Sequence, residues 1–160
     1  MTYTLIANSS SVRRDADGAA IPDAAGNIDW QAYQAWLTAG NTPTPAAAPT
    51  SAQVAAAAYA AAIAAGLAIT STSTPALTAT YGVDSGAQTN IDSVVAGIAA
   101  GVGLPGGGST FSYPDATGVW HVVTQAQFIA LASAIRAYVY GLDLYLGGQG
   151  AHPAASATIA

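Results

Sequence analysis

The side chains of this sequence that could do chemistry are few: two histidines and eight aspartates, with no cysteine, glutamate or lysine. A histidine that acts as a general base needs a second group to orient it and a substrate proton within reach. Asp92, Asp115 and Asp143 are available acids, but no spacing along the chain ties any of them to His121. We therefore interpret His121 as a half-buried strand histidine. We predict no catalytic or metal role for it or for His152.

Two further patterns imitate ligand-binding motifs without completing them. The glycine-rich stretch 101–109 resembles a phosphate loop, but it lacks the Lys-Ser/Thr pair and follows a predicted helix rather than a strand. Asp15, Asp17 and Asp23 have the loose spacing of a calcium loop without its terminal glutamate and fixed glycine. We predict that the protein is not an enzyme and that it holds no cofactor and no metal.

The composition is apolar and poor in charge. Hydrophobic residues make up 52% of the chain and charged residues 7%, for a net charge of −5, whereas about 25% charged residues is typical. Trp30 to Val83 contains no charged side chain. Since net charge keeps proteins soluble and apart, we interpret the chain as a subunit of a larger assembly. The alternative is an ordinary surface of Ala, Ser, Thr, Gly and Gln.

The same composition argues against nucleic acid and membranes as partners. Only Arg13, Arg14 and Arg136 could neutralise phosphates, which is the main source of nucleic-acid affinity. The uncharged run from Val54 to Ile69 is alanine-dominated and shorter than the ~20 apolar residues that a membrane span needs. The first residues carry their positive charges after the apolar ones, the reverse of a signal peptide. Without cysteine, the redox compartment stays undetermined.

The strongest structural pattern runs from Trp120 to Leu146. A short β-forming stretch is followed by Thr124 and, three residues later, Gln127, which is the pattern of a helix capping box. The apolar residues that follow alternate at spacings of three and four, as on one face of a helix: Phe128, Leu131, Ile135, Tyr138, Leu142 and Tyr145. We predict a strand leading into a long amphipathic helix that Gly147 and Gly148 end.

The N-terminal part predicts a small module of its own. Residues 2–22 favour a β-hairpin with a turn at Asp17-Gly18, and residues 27–40 favour a short helix capped by Asn27 or Asp29. Four residues share one face of this helix: Trp30, Tyr33, Trp36 and Leu37. They either form a small core against the hairpin or anchor a partner protein, because tryptophan is enriched at binding hot spots. Core packing is the better prediction, since so short a helix is marginal alone.

The remaining segments predict an α+β body. We expect an alanine-rich helix at 51–66 and a hairpin around Pro75 within 67–83. A second helix at 84–104 should carry an apolar stripe made of Ile91, Val94, Val95, Ile98 and Val102. A second hairpin should join 111–113 to 119–123. The fold class predicted is therefore α+β, with a hairpin-helix docking module at 1–40, a proline linker at 41–51, a body of three helices and short antiparallel hairpins at 52–147, and a disordered tail at 148–160.

Two segments resemble proteins of tailed bacteriophages. Residues 12–45, with ADGAAIPDAAGNIDWQAYQAWLTAGNTPTP, are similar to a recurrent hairpin, helix and proline-linker motif of phage tail proteins. Residues 55–146 resemble a phage and prophage tail-fibre domain of unknown function. The residues that carry the match are Tyr113, Asp115, Val122, Thr124, Ala126, Gln127, Phe128, Leu131, Ile135, Tyr138 and Val139. The resemblance covers most of the chain. That family has no established catalytic residues to carry over.

The resemblance implies a virion component in the phage tail: a tail-fibre, baseplate or collar-associated attachment protein. The alternatives are a tail-fibre assembly chaperone and a capsid decoration protein. Expected partners are other tail or fibre proteins and further copies of the chain, with a trimer favoured and a sixfold or twelvefold ring as alternatives. The residues predicted to contact partners are Trp30, Tyr33, Trp36, Leu37 and Arg136, the last on the weakly charged outer face of the final helix.

Overall fold

The protein consists of two compact units. A computed structural model describes residues 1–160, and these divide into Met1–Thr50 and Ser51–Ala160. Four α-helices and eight short strands make up the two units. The predicted α+β class is confirmed.

The first unit, here called the head, is a three-stranded sheet with one helix. Its elements are β1 (Tyr3–Leu5), β2 (Val12–Arg14), β3 (Ala20–Ile21) and α1 (Ile28–Thr38). The strands form an antiparallel meander in chain order, so the predicted hairpin at Asp17-Gly18 is joined by a further strand. Asn27 caps α1 as predicted, since its side chain accepts hydrogen bonds from two backbone amides of the first turn.

The proline-rich segment after α1 is attached to the head sheet at one point. Thr44 pairs with Thr4 in a parallel bridge. The Thr44 amide donates to the Tyr3 carbonyl at 2.8 Å, and the Leu5 amide donates to the Thr44 carbonyl at 2.9 Å. The predicted spacer at 41–51 therefore contributes part of its backbone to the head, which extends to Thr50.

The second unit, here called the body, contains three helices and two sheets. Its elements are α2 (Ser51–Ala65), β4 (Leu67–Ser71), β5 (Ala79–Tyr81), α3 (Ser85–Ala99), β6 (Thr110–Pro114), β7 (Trp120–Thr124), α4 (Gln125–Leu146) and β8 (Ser156–Ile159). One sheet has the order β5-β4-β8, and the other is the β6-β7 hairpin. Both predicted hairpins are present as antiparallel pairs.

Helix α4 is the core element of the body. The predicted capping box is present, because the Thr124 side chain accepts from the Gln127 amide and the Gln127 side chain accepts from the Thr124 amide. Five of the six predicted stripe residues are buried, and Tyr145 is half-buried. Each large apolar side chain buried in this way contributes about 1.5–3 kcal/mol, as an upper bound. Helices α2 and α3 and strands β4, β7 and β8 all pack against α4.

Helix α4 is also the one helix that is long and apolar enough to cross a membrane by length and composition. In the body its apolar stripe faces the protein core instead, with Phe128, Ile135 and Leu142 fully buried. A long helix that buries an apolar stripe in a protein core passes the same test of length and composition as a membrane span.

Two predictions about the body were wrong. Residues 148–160 are not disordered, because β8 pairs in parallel with β4 and buries Ile159. Its alternation is made mostly of Ser, Ala and Thr, so the period of two was too weak to recognise. Helix α3 ends at Ala99, and Val102 lies exposed beyond it rather than on the stripe. Gly101 has φ +74° and turns the chain out of the helix.

The junction between α2 and β4 gives a test of the packing. Gly66 has φ +77°, and a Cβ there would lie 2.6 Å from the Tyr81 carbonyl oxygen. Gly101 has almost the same φ, but a Cβ there would meet nothing within 4 Å. Gly101→Ala should therefore cost only the left-handed backbone strain, about 1–2 kcal/mol. Gly66→Ala should cost that strain plus a backbone clash, about 2–5 kcal/mol in all.

The measurement is urea-induced unfolding of both variants and the unsubstituted chain, followed by circular dichroism. Equal destabilisation by the two substitutions would show that the close approach between the Gly66 backbone and β5 does not exist.

Candidate partner-binding surfaces

The four predicted contact residues of the head lie in or against its small core, which also contains Tyr3, Val12 and Ile21. Tyr33 is buried, and Trp30, Trp36 and Leu37 are partly buried around it. The ring centroid of Tyr33 lies 5.0 Å from that of Tyr3 on β1 and 5.1 Å from that of Trp30. Tyr3 also meets Trp36 at 5.1 Å. The core-packing prediction is confirmed, while the exposed parts of both tryptophans leave a partner role as a prediction.

The two arginines of the head are already paired. Arg14 contacts Asp17 at 2.8 Å and Asp29 at 2.6 Å, which ties the β2–β3 turn to the first turn of α1. The hydrogen bonds to Asp17 and then Asp29 raise the pKa of Arg14 above its ordinary value. The hydrogen bond between Arg14 and Asp17 also lowers the pKa of Asp17. Arg13 lies 3.7 Å from Asp15. These ion pairs therefore link β2 to the turn that follows it and to the start of α1, within the head.

Arg136 is the basic residue without an ion pair. It is the only arginine in the body, it is exposed on α4, and no carboxylate lies within 4.0 Å of it. It forms part of the wall of two neighbouring grooves between α3 and α4. We call this surface the α3–α4 face.

The two grooves of the α3–α4 face differ in chemistry. One, of about 160 Å³, is partly polar and includes Asp92, Asp143 and the exposed ring of Tyr140 in its walls. The other, of about 310 Å³, has walls mainly of Val95, Ile98 and Ile129. Arg136 stands where the polar groove meets the apolar one. A partner that pairs an acidic group with an apolar side chain would complement both parts of this face.

The outer side of the β6-β7 hairpin is a second apolar surface, which the sequence patterns did not identify. Val119, Trp120 and Val122 are each more than half exposed. Side chains alternate across a strand, so the neighbours His121 and Val123 point inward while Trp120 and Val122 point outward. The reason for the miss is that Trp120 and Val122 look like core residues by type. Only the pairing register shows which side of the hairpin they occupy.

His121 is paired with an acid, contrary to our interpretation of the sequence. Its Nε2 lies 3.1 Å from the Asp115 carboxylate, and its Nδ1 lies 2.8 Å from the Ala76 carbonyl oxygen. Asp115 and His121 face each other across the β6–β7 turn. The half-buried strand position of His121 is as predicted. Because both ring nitrogens face protein oxygens, the contacts fasten the hairpin to the segment before β5.

Asp115 is the centre of this attachment. Its carboxylate also accepts hydrogen bonds from the Thr117 amide and hydroxyl and from the Val119 amide, at 2.7 to 3.0 Å. The hydrogen bond from His121, followed by that from Thr117, holds the pKa of Asp115 well below its usual range. Nearby, burial raises the pKa of Tyr81 to about 12, and its hydroxyl donates to the Leu77 carbonyl at 3.0 Å. The Asp115 hydrogen bonds stabilise the β6–β7 turn, and the Tyr81 hydrogen bond stabilises the segment before β5.

The remaining candidates of the sequence analysis stay apart in the structure. His152 contacts Tyr145 with its ring and has no acidic partner. The glycine-rich stretch contains a short 3-10 turn at Pro105–Gly107. No cluster of three or more His, Asp or Glu side chains lies close enough together to hold a metal ion.

One comparison with known proteins places the body. A family model described as a domain of unknown function, DUF4376, matches residues 45–142. The chain belongs to the DUF4376 family. The match covers α2 through most of α4, so the β6-β7 hairpin and all of the α3–α4 face except Asp143 lie inside the DUF4376 domain, while β8 lies outside it. No curated protein and no solved structure matches the chain.

The Asp115 attachment predicts a pH dependence of stability. A carboxylate whose pKa is lowered by folding stabilises the native state above the unfolded pKa, about 3.9, and loses this contribution as the pH falls below it. Asp115→Asn should therefore lower stability at pH 7 and flatten its fall between pH 5 and pH 2. Asp92→Asn is the control, since Asp92 makes no hydrogen bond or ion pair. Urea midpoints measured across this range provide the test. Parallel pH profiles for the unsubstituted chain and Asp115→Asn would contradict it.

Proposed function

We propose that this DUF4376 protein is a structural component of a tailed-phage virion: a tail-fibre, baseplate or collar-associated attachment protein. The resemblance of residues 12–45 and 55–146 to phage tail proteins supports the choice of particle. The physical chemistry of the surface supports a role in assembly. The protein would be made in the bacterial host cytoplasm and end in the virion tail.

The observation that carries the assembly role is the unpaired Arg136 on the α3–α4 face. In a body with one arginine and four aspartates, this cation is left without an ion pair between a polar and an apolar groove. Exposed apolar groups on the same helix, Ile129 and Tyr140, accompany it. Patches of this kind, apolar with a polar rim, mark protein interaction sites.

The division into two units supports an attachment role in particular. The head and the body each have their own hydrophobic core. We infer that the head binds one tail component and that the body binds another component or further copies of itself. A trimer is the favoured symmetry, as in a fibre, and a sixfold or twelvefold ring would fit a baseplate or collar.

The contacts of His121 count against its use as a general base. A general base must have a nitrogen free to accept a proton from a substrate. Both nitrogens of His121 lie within hydrogen-bond distance of protein oxygens, those of Asp115 and Ala76. The proposed role therefore assigns a binding surface to the body and no reaction.

Incorporation into particles tests this function. Quantitative mass spectrometry of purified virions should detect the unsubstituted chain at a fixed copy number per particle. Arg136→Glu should reduce that copy number at least about tenfold, because like-charge contacts in an interface cost several kcal/mol. The isolated variant should fold normally, since Arg136 is exposed and has no intramolecular ion pair.

Arg136→Lys is the matched control, as it keeps the charge on the same helix position. Its incorporation should stay close to that of the unsubstituted chain. Absence of the unsubstituted chain from finished particles would overturn the structural role and favour an assembly chaperone. Normal incorporation of Arg136→Glu would exclude the α3–α4 face as the interface.

A further inference from the structure

Helix α4 carries a second stripe of side chains with the helical period, and this one faces outward. Its members follow one another at spacings of four, three, four and three residues, which places them on one face of the helix: Ile129, Ser133, Arg136, Tyr140 and Asp143. All five are exposed. We call them the outer stripe. A stripe of this period is the kind of surface that one helix uses to pack against another.

The outer stripe contains two charges of opposite sign, and neither is paired with the other or with any other charge of the chain. Arg136 has no carboxylate within 4.0 Å, and Asp143 has no arginine or histidine within that distance. The two residues are seven positions apart, about 10 Å along the helix axis, whereas side chains pair along a helix at spacings of three or four. The helix therefore keeps these two charges apart, on either side of Tyr140.

The carboxylate of Asp143 is positioned by a neighbouring helix and can still accept further hydrogen bonds. The hydroxyl of Tyr59 on α2 donates to Oδ1 of Asp143 at 3.2 Å. An ionised carboxylate has several acceptor sites, so this one contact does not saturate it. The polar groove beside Asp143 also includes Asp92 of α3. A guanidinium that enters this groove would meet two carboxylates, which suits its several N–H donors.

We propose that the α3–α4 face binds the same face of a second copy of this chain, with the two α4 helices antiparallel across a twofold axis at Tyr140. Charge complementarity favours this occupant. Reversing the helix direction brings Arg136 of each copy to Asp143 of the other, since the two residues lie four and three positions from Tyr140. One symmetric contact thus pairs both charges in both copies. Any other partner would have to supply the same order of charges, whereas a second copy already carries it.

This inference rests on the proposed assembly role of the α3–α4 face and names the partner of that face. The contact is isologous, so it closes after two copies or joins two rings of copies face to face. The exposed ring of Tyr140 meets its symmetry mate at the axis, where an aromatic side chain adds apolar contact at a low cost in conformational entropy. Because the ion pairs form between exposed groups, the contact should weaken as the salt concentration rises.

Two charge reversals test this pairing in the purified full-length chain. Arg136→Glu places acid against acid at both ends of the contact, and Asp143→Arg places base against base. Sedimentation equilibrium should show that each variant alone dimerises at least about tenfold more weakly than the unsubstituted chain. Mixed in equal amounts, the two variants should form a heterodimer with nearly the original affinity, because each reversed charge then faces an opposite one.

Asp23→Arg is the matched control, since it makes the same change of charge at an exposed residue of the head and should leave dimerisation unchanged. Circular dichroism verifies that each variant is folded. The double variant Arg136→Glu/Asp143→Arg should regain self-association with copies of itself. An unsubstituted chain that stays monomeric would overturn the proposal, and so would a mixture that associates no more tightly than the single variants.

The same variants in particles separate this inference from the proposed function. Loss of both single variants from virions, without rescue when they are expressed together, would overturn the twofold contact. The α3–α4 face would then bind another tail component, and the proposed function would stand. Rescued pairing of the purified variants, for a chain that is absent from virions, would support the twofold contact and contradict the proposed function.

Discussion

The body depends on the burial of one side of helix α4. The body has little charge and no disulfide bonds. Helices α2 and α3 and strands of both sheets pack against α4, whose apolar stripe runs from Phe128 to Leu142. This stripe therefore joins the elements of the body. Such a stripe stabilises a helix far more than the intrinsic propensities of its residues do. The capping box at Thr124 fixes where the helix begins and thereby fixes which residues face the core.

Burying one side of α4 leaves the other side to be explained. A helix at the surface of a monomer normally carries charges there, but α4 exposes Arg136 and Asp143 among Ile129 and Tyr140. The β6-β7 hairpin likewise exposes a large apolar side chain, Trp120. Such apolar surfaces fit a subunit of an assembly, because in the proposed particle other subunits would cover them. In the head, both arginines form ion pairs with aspartates of the head itself.

The sequence predicted those parts of the fold whose signal is a strong period or a named turn: the α4 stripe, its capping box, both body hairpins and the Asp17-Gly18 turn. It failed where the signal was weak or depended on register. Strand β8 is built of small residues, so its alternation was invisible. The contact between Asp115 and His121 depends on the shape of a turn that no spacing rule describes. The packing of Trp30, Tyr33, Trp36 and Leu37 in the head could be predicted from their spacing. The α3–α4 grooves could not, because their shape depends on how the two helices cross.

The most direct test of the account is hydroxyl-radical footprinting of the purified chain and of the assembled particle. Tyr138 and Phe128 lie on the buried side of α4 and should be protected in both states. Tyr140, 64% exposed on the opposite side, should react in the purified chain and lose that reactivity on assembly. Equal reactivity of Tyr140 in the two states would contradict the claim that α4 serves as core on one side and as interface on the other.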